Sequence, residues 1–161
     1  MSKSDPFDGE VHTVMFDLYG TLLDVQSGLA AAVAPYLERK GWDRNPNLFV
    51  KWWRRTHFEN SMIDALLHRE HTSYREIGQS ALSNTLEREQ IDHTEEEVRA
   101  LVSAFEKLGP FEDATAALGR LKAHYQLTIL SNGDPDMLEA VRPRLPVSFP
   151  PLAVARDRGP W

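Results

Sequence analysis

The sequence predicts an α/β fold in which a parallel-sheet core is interrupted by a long helical insertion. Two short apolar runs, His12–Phe16 and Gln126–Leu130, are typical of buried strands, and each is followed by a polar turn and a helical pattern. Between them, residues 25–109 show helical periodicity alone. Two strand–turn–helix units separated by helices indicate a helical domain inserted into one α/β core.

Composition limits the class of protein. The 161 residues, 42% of them hydrophobic, are enough for one domain that carries an insertion. The net charge of −6, without a basic block, argues against a nucleic-acid partner. No run approaches the ~20 apolar residues of a membrane span, and the polar residues 1–10 lack a signal-peptide core, so we expect a cytoplasmic protein. The absence of cysteine excludes disulfides and thiol chemistry.

Four helical segments are predicted within the insertion. The first begins near Ser27, ends at Gly41 and carries an apolar stripe of Leu29, Val33, Tyr36 and Leu37. Asn45-Pro46 is a typical cap and first-turn pair for the second helix. The third runs from about Tyr74 to Leu86, and the fourth begins at a capping box formed by Thr94–Glu97.

The core returns after Gly109-Pro110. Asp113 is the predicted cap of the next helix, and Asp134-Pro135 begins another after the second strand. Five of the ten prolines lie in residues 143–161, so we expect nothing after Leu145 to pair with the strands. Sheets usually hold ~5–6 strands, and the core therefore looks incomplete at the C-terminus. The predicted division is 1–24 core, 25–109 helical cap, 110–145 core and 146–161 proline-rich tail.

Two polar residues mark the expected site. Asp17 and Ser131 each follow a predicted strand, and in an open parallel sheet ligands bind at the carboxyl ends of the strands. A carboxylate there can serve as nucleophile, general base or metal ligand. Gly20 permits a sharp turn, and Thr21 offers a hydroxyl to the loop. The alternative is that Asp17 only caps a turn.

Two stretches resemble a known superfamily: "FDLYGTLLD" at 16–24 and "LSNGD" at 130–134. Together they are similar to the haloacid dehalogenase superfamily, and more narrowly to its type II L-2-haloacid dehalogenases. The resemblance implies a Rossmann-like parallel core with a helical cap inserted after the first motif. Phosphatases of the superfamily carry a second acid two residues after the first, as a proton donor to the leaving group. Tyr19 stands there instead, and a halide needs no proton to leave.

The resemblance implies a mechanism for hydrolysis of short (S)-2-haloalkanoic acids to 2-hydroxy acids. Asp17 would displace the halide with inversion and form an ester on the enzyme, which water would then cleave at the Asp17 carbonyl. The other residues implied in catalysis or in binding of substrate and halide are Leu18, Tyr19, Thr21, Ser131 and Asn132. Thr21 would position the nucleophile, while Ser131 and Asn132 would bind the substrate carboxylate and help to hold the halide.

The cap is expected to contribute an arginine. The stretch "WWRRTHFEN" at 52–60 resembles the family's W-R-x-x-x-L/F-E segment, which matches Arg54, with Phe58 one turn away on the same helix face. A guanidinium beside aromatic rings is a good anion site. Arg55 is the weaker candidate. The alternative is that Trp52 and Trp53 pack the cap while both arginines face water.

The resemblance implies no metal and no other cofactor. His68 and His71 could share a helix face, but without a placed carboxylate such a pair indicates surface rather than a metal site. The expected partner is a small 2-haloacid, and the sequence allows a homodimer. The family's third motif has a lysine, whereas none follows Lys122 here. The missing lysine leaves open that this is a catalytically incomplete dehalogenase chain. A Mg-dependent phosphatase of the superfamily is the other alternative.

Overall fold

The computed structural model describes residues 11–67, 72–150 and 153–154. The predicted polar N-terminus, His68, His71 and most of the proline-rich tail lie outside the described residues. Three strands and six α-helices are present in this part of the chain, with 3-10 helices at Ser103–Lys107 and Arg142–Arg144. The elements are β1 Thr13–Phe16, α1 Val25–Arg39, α2 Pro46–Leu66, α3 Tyr74–Arg88, α4 Glu95–Val102, α5 Glu112–Lys122, β2 Gln126–Ser131, α6 Pro135–Val141 and β3 Ala153–Val154.

The sheet is parallel throughout, in the order β1-β2-β3. The register of β1 on β2 runs from Thr13 opposite Gln126 to Phe16 opposite Ile129. The side chains of Leu127 and Ile129 are buried, as expected for the central strand of an α/β core. The predicted α/β class, with a parallel sheet and helices between its strands, is confirmed.

The expectation that nothing after Leu145 pairs with the sheet is wrong. The two residues of β3 pair with β2 in parallel, with Ala153 opposite Leu130 and Val154 opposite Ser131. All the prolines between Leu145 and β3 precede the strand in sequence, so none removes a backbone donor from its ladder.

The segment that leads toward β3 is bonded to the 3-10 helix that follows α6. The guanidinium of Arg142 donates to the carbonyl oxygens of Phe149 and Pro150, each at 3.0 Å. Phe149 and Leu145 are both buried in the core. These contacts give an apparently featureless proline-rich stretch a defined course over the core.

Helices α1 to α4 make up the part of the cap that precedes Ser103, and their predicted ends are largely confirmed. The Asp24 side chain caps α1 by accepting from the Ser27 amide at 3.0 Å, so this helix begins two residues earlier than expected. Gly41, with φ of +75°, follows its last turn. The Thr94–Glu97 capping box is present, and a second one joins Ser73 to Glu76 at α3.

The start of α5 corrects the prediction for Asp113. The helix begins at Glu112, and Phe111 occupies the cap position without a side-chain hydrogen bond. Asp113 instead lies in the first helical turn, where a negative charge complements the helix dipole.

The chain enters and leaves the cap through two segments that pair with each other. The Asp24 amide donates to the Gly109 carbonyl at 3.0 Å, and the Phe111 amide donates to the Leu22 carbonyl at 2.9 Å. Leu23 and Pro110 form an antiparallel bridge between these bonds. Because the segments that enter and leave the cap pair with each other just after β1, the cap lies beside the loop that carries Asp17.

Candidate active site

Asp17 follows β1 at the carboxyl edge of the sheet and is exposed. The Thr21 hydroxyl donates to Asp17 Oδ2 at 3.0 Å. The loop between them is closed by the Leu18 carbonyl, which accepts from the Leu22 and Leu23 amides at 3.0 Å each. Gly20 has a φ of +89°, a conformation that other residues rarely adopt. The carboxylate is thus held at the start of a tight, hydrogen-bonded loop.

Ser131 ends the neighbouring strand at the same edge of the sheet. Its side chain is 3% exposed, and its hydroxyl accepts from the Gly133 amide at 3.3 Å. Asn132, the next residue, is exposed. Since β1 and β2 are paired in parallel up to Phe16 and Ile129, the structure brings the two predicted motifs to adjacent strand ends.

Tyr19 packs directly on the second motif. A methyl group on Gly133 would lie 2.7 Å from Tyr19 Cε2 and 2.8 Å from Leu138 Cδ2. Real carbon contacts are not this short, so a side chain at Gly133 would have to displace the ring. The absence of a side chain at position 133 therefore allows the two motifs to touch.

Arg54 reaches the site from α2. Its Nη1 donates to Gln26 Oε1 at 3.2 Å, and a methyl group on Gly20 would lie 3.4 Å from its Nη2. Gln26 Nε2 in turn donates to the Asn47 carbonyl at 3.1 Å. The guanidinium therefore lies against the Asp17 loop, oriented by a residue in the first turn of α1.

Gln26 was not predicted from the sequence. Its position two residues after the first motif was the available signal, but its role depends on a partner 28 positions away in the chain.

Arg55 and Phe58 are exposed on α2. Arg55 Nε pairs with Glu59 Oε1 at 2.8 Å, and its guanidinium lies 5.5 Å from the Trp52 ring centroid. Phe58 was expected to supply an aromatic surface for Arg54. Its side chain is 65% exposed, so it does not shield the Arg54 guanidinium from water. The buried stripe of α2 instead includes Trp53 and His57.

An aromatic cluster joins the cap to the Asp17 loop. The Tyr74 ring stacks on Tyr19 at 5.2 Å and lies 4.3 Å from His57, so it is enclosed by both. Phe105 meets Tyr19 and Tyr74 edge-on at 5.7 Å and Trp53 at 5.5 Å. Such edge-to-face pairs add to the free energy gained by burying the rings. We call these five residues the aromatic cluster.

The cluster places two phenols and an imidazole in a poorly hydrated environment. Burial raises the pKa of Tyr19 and of Tyr74, and the negative charge of Asp17 raises the pKa of Tyr74 further while Arg54 opposes it. The Tyr74 phenol therefore interacts electrostatically with both Asp17 and Arg54. Burial lowers the pKa of the His57 imidazole to about 4, so the ring is neutral at physiological pH.

The described part of the chain contains no cluster of three His, Asp or Glu side chains that could hold a metal ion. The predicted independence of metal stays a prediction. No described helix is both long and apolar enough to cross a membrane.

A carboxylate at the end of a parallel strand, faced by an inserted helical cap, defines a capped α/β enzyme. The sequence pattern of the haloacid dehalogenase-like hydrolases matches residues 11–152, and the chain belongs to this family.

Named relatives support a narrower likeness. An (S)-2-haloacid dehalogenase of Xanthobacter autotrophicus is 34% identical over 131 residues, which cover 81% of this chain and 49% of the relative. The structure of L-2-haloacid dehalogenase from the same organism superposes with a TM-score of 0.75 at 33% identity, covering 90% of this chain and 56% of that one. A defluorinating L-2-haloacid dehalogenase gives 0.77 at 28% identity, with coverage of 89% and 59%. The chain thus spans about half the length of the curated relatives it matches.

We predict that Gly133→Ala lowers the free energy of unfolding by about 1–3 kcal/mol, because the methyl group forces Tyr19 or Leu138 to move. Gly119→Ala is the matched control. Outside the adjacent stretch of its own helix, no atom of the described residues lies within 4 Å of a methyl group there, and alanine in a helix should add about 0.5–1 kcal/mol. Urea unfolding of both variants measures the difference. Equal effects would contradict the close contact at Gly133.

We predict that His57 makes the protein less stable in acid. The folded pKa of about 4 lies below the ordinary 6.5, so the unfolded chain binds the proton more readily as the pH falls below 6.5. Between pH 7 and pH 5 this costs roughly 2 kcal/mol of unfolding free energy.

The substitution His57→Phe should remove this part of the pH dependence, whereas His124→Gln, at an exposed histidine, should retain it. Denaturant unfolding at both pH values measures the slope. An unchanged slope in His57→Phe would show that the ring is not held neutral by burial.

Proposed function

We propose that this chain catalyses hydrolytic dehalogenation of short (S)-2-haloalkanoic acids to 2-hydroxy acids through an ester on Asp17. The observation that carries the proposal is the pair of residues at the start of the first motif. Asp17 is an exposed carboxylate at a strand end, and two residues later stands Tyr19, whose ring is packed into the aromatic cluster. The first motif thus offers one carboxylate as a nucleophile, and position 19 offers no second carboxylic acid.

The first step is a displacement at the carbon that carries the halogen. An Asp17 carboxylate oxygen forms a bond to that carbon, and the halide leaves with the bonding electron pair. Thr21 holds Asp17 through its hydrogen bond to Oδ2, which leaves Oδ1 to attack. Arg54, which lies against the Asp17 loop, supplies positive charge to an anion: the substrate carboxylate or the departing halide.

The second step restores the enzyme. Water adds to the Asp17 carbonyl carbon, and the bond between that carbon and the oxygen attached to the substrate breaks. The former carboxylate oxygen leaves with the product as its 2-hydroxyl group, while a water oxygen remains on Asp17. The net reaction consumes one water and releases the 2-hydroxy acid, halide and a proton. In this scheme the substrate would be bound by Leu18 and Tyr19 after one strand, and by Ser131 and Asn132 at the end of the other.

Phosphoryl transfer is the less well supported alternative. An alkoxide leaving group needs a proton, and an acid at position 19 would supply it. Burial raises the pKa of the Tyr19 phenol, which makes it a still weaker acid. Its hydroxyl has no hydrogen-bond partner in the described part of the chain.

The relatives add independent support. The Xanthobacter autotrophicus dehalogenase, 33% identical to this chain, has been solved with chloropropionic acid covalently bound. That state is what attack by a protein nucleophile on a 2-haloacid would produce. A cytoplasmic location and a homodimer stay predictions.

Halide release decides between these functions. We expect the protein to release chloride from (S)-2-chloropropionate in the presence of a chelator, and not to hydrolyse p-nitrophenyl phosphate with added Mg²⁺. Asp17→Asn should lower turnover by several orders of magnitude, because the amide is nearly isosteric but a poor nucleophile. Ion chromatography measures the chloride.

Labelled water tests the route of the oxygen atom. After a single turnover in heavy-oxygen water, mass spectrometry should find the label on the peptide containing Asp17. Label confined to the hydroxy acid would mean that water attacks the substrate directly. Phosphatase activity without chloride release would overturn the proposed function.

Arg54→Lys and Arg55→Lys form a matched pair of variants. We expect the first to lower kcat/KM about 10–100-fold, because an ammonium cannot replace a planar guanidinium that bonds Gln26 and an anion together. Arg55 is paired to Glu59 at the surface, so its variant should stay within about twofold of the unmodified chain. Steady-state kinetics at both positions measure the difference. Equal losses would show that Arg54 is not the anion-binding arginine.

A further inference from the structure

The side chain of Asp134 does not cap the helix that it precedes. It stands at the cap position of α6, directly before Pro135, but makes no side-chain cap bond there. Its carboxylate instead accepts from the backbone amides of Tyr74 at 3.0 Å and Arg75 at 2.9 Å. These are the first two residues of α3, in the cap. With 5% of its surface exposed, Asp134 is a buried link from the second motif to the cap.

The two hydrogen bonds to Asp134 satisfy backbone amides at the start of α3. The first amides of a helix have no partner within the helix. The Ser73 hydroxyl accepts from the Glu76 amide at 3.1 Å, but the capping box leaves the two amides before it without a partner from α3 itself. Asp134 takes both. A carboxylate at this position also complements the positive end of the helix dipole, and charge-assisted bonds of this kind are stronger than neutral ones.

A second contact runs beside the first. Arg75 Nη2 lies 2.9 Å from Glu106 Oε1 in the cap and 2.7 Å from Asp136 Oδ2 in α6. This bridge is more exposed than the Asp134 bonds, so water screens it more strongly. Asp134 is therefore the stronger of the two links between α6 and the start of α3.

Tyr74 connects this link to the site. Its amide is bound by Asp134, while its ring stacks on Tyr19 at 5.2 Å, two residues after Asp17. The ring is held on its other side by His57 at 4.3 Å. Loss of the amide bond would release one end of a residue whose other end lies over the first motif.

We propose that Asp134 is a positioning residue that keeps the cap closed on the core and holds Tyr74 over the Asp17 loop. The effect on substrate rests on the proposed function, whereas the link between cap and core does not. Since Asp134 contributes no group to the reacting atoms in this scheme, it acts through Tyr74. A closed cap would bind the substrate, so that opening it weakens apparent binding in proportion to the closed fraction.

Amide hydrogen exchange tests the link without any substrate. In Asp134→Ala we expect the Tyr74 and Arg75 amides to exchange at least ten times faster than in the unmodified chain. The Ile129 amide, in the buried strand β2, should keep its protection. Asp134→Asn keeps one acceptor oxygen and should deprotect these amides less, and it serves where the alanine variant folds poorly. Asp136→Asn removes only the exposed bridge and is the control.

Two results would overturn the proposal. Unchanged exchange of Tyr74 and Arg75 would show that the carboxylate does not hold α3. Equal acceleration of these amides and Ile129 would show that Asp134 only stabilises the fold as a whole.

Kinetics separate positioning from general stability. If the cap opens, KM for (S)-2-chloropropionate should rise about tenfold in Asp134→Asn while kcat stays within about threefold, because bound substrate restores the closed state. A lowered kcat with unchanged KM would indicate loss of folded protein and would overturn the positioning role. The two proposals can fail separately. If the Asp134 variants show the exchange pattern but the unmodified chain releases no chloride, the proposed function fails and the link stands.

Discussion

The parallel pairing of β1 with β2 determines where every group of the candidate site can lie. The register puts Phe16 beside Ile129, so that Asp17 and Ser131 emerge at one edge although they are far apart in sequence. A parallel pair requires a long connection between its strands, and here that connection includes the entire cap. The pairing of the Leu22 and Phe111 segments brings both ends of the cap back to this edge. The cap therefore lies beside Asp17 because of the strand pairing.

Close packing then couples the two motifs to the cap. Tyr19 contacts Gly133 on the core side and Tyr74 on the cap side, so one ring touches the second motif and α3. In the scheme proposed here the same residue replaces an acid that phosphoryl transfer would need. Since the ring is buried, any change in its size must be absorbed by both neighbours, and chemistry and packing constrain position 19 together.

Features fixed by local sequence could be predicted. Strands β1 and β2, the Thr94–Glu97 capping box and the turn at Gly20 each depend on neighbouring residues, and they occur within a residue or two of the expected positions. Gln26 and Asp134 could not be assigned, since their partners belong to other elements. Phe58 has the expected helical spacing, but its side chain is mostly exposed. The short β3 has too few residues for a pattern of its own.

The two aspartates near the ends of β1 and β2 show how environment gives one side chain two uses. A carboxylate has about four positions at which it can accept hydrogen bonds. Asp134 is buried, and each of its two oxygens accepts from a backbone amide. Asp17 is exposed and accepts from the Thr21 hydroxyl on Oδ2. A nucleophile needs an available oxygen, whereas a structural anchor needs donors that engage its oxygens. In the proposed scheme, the number of donors at each carboxylate therefore separates the reactive aspartate from the anchoring one.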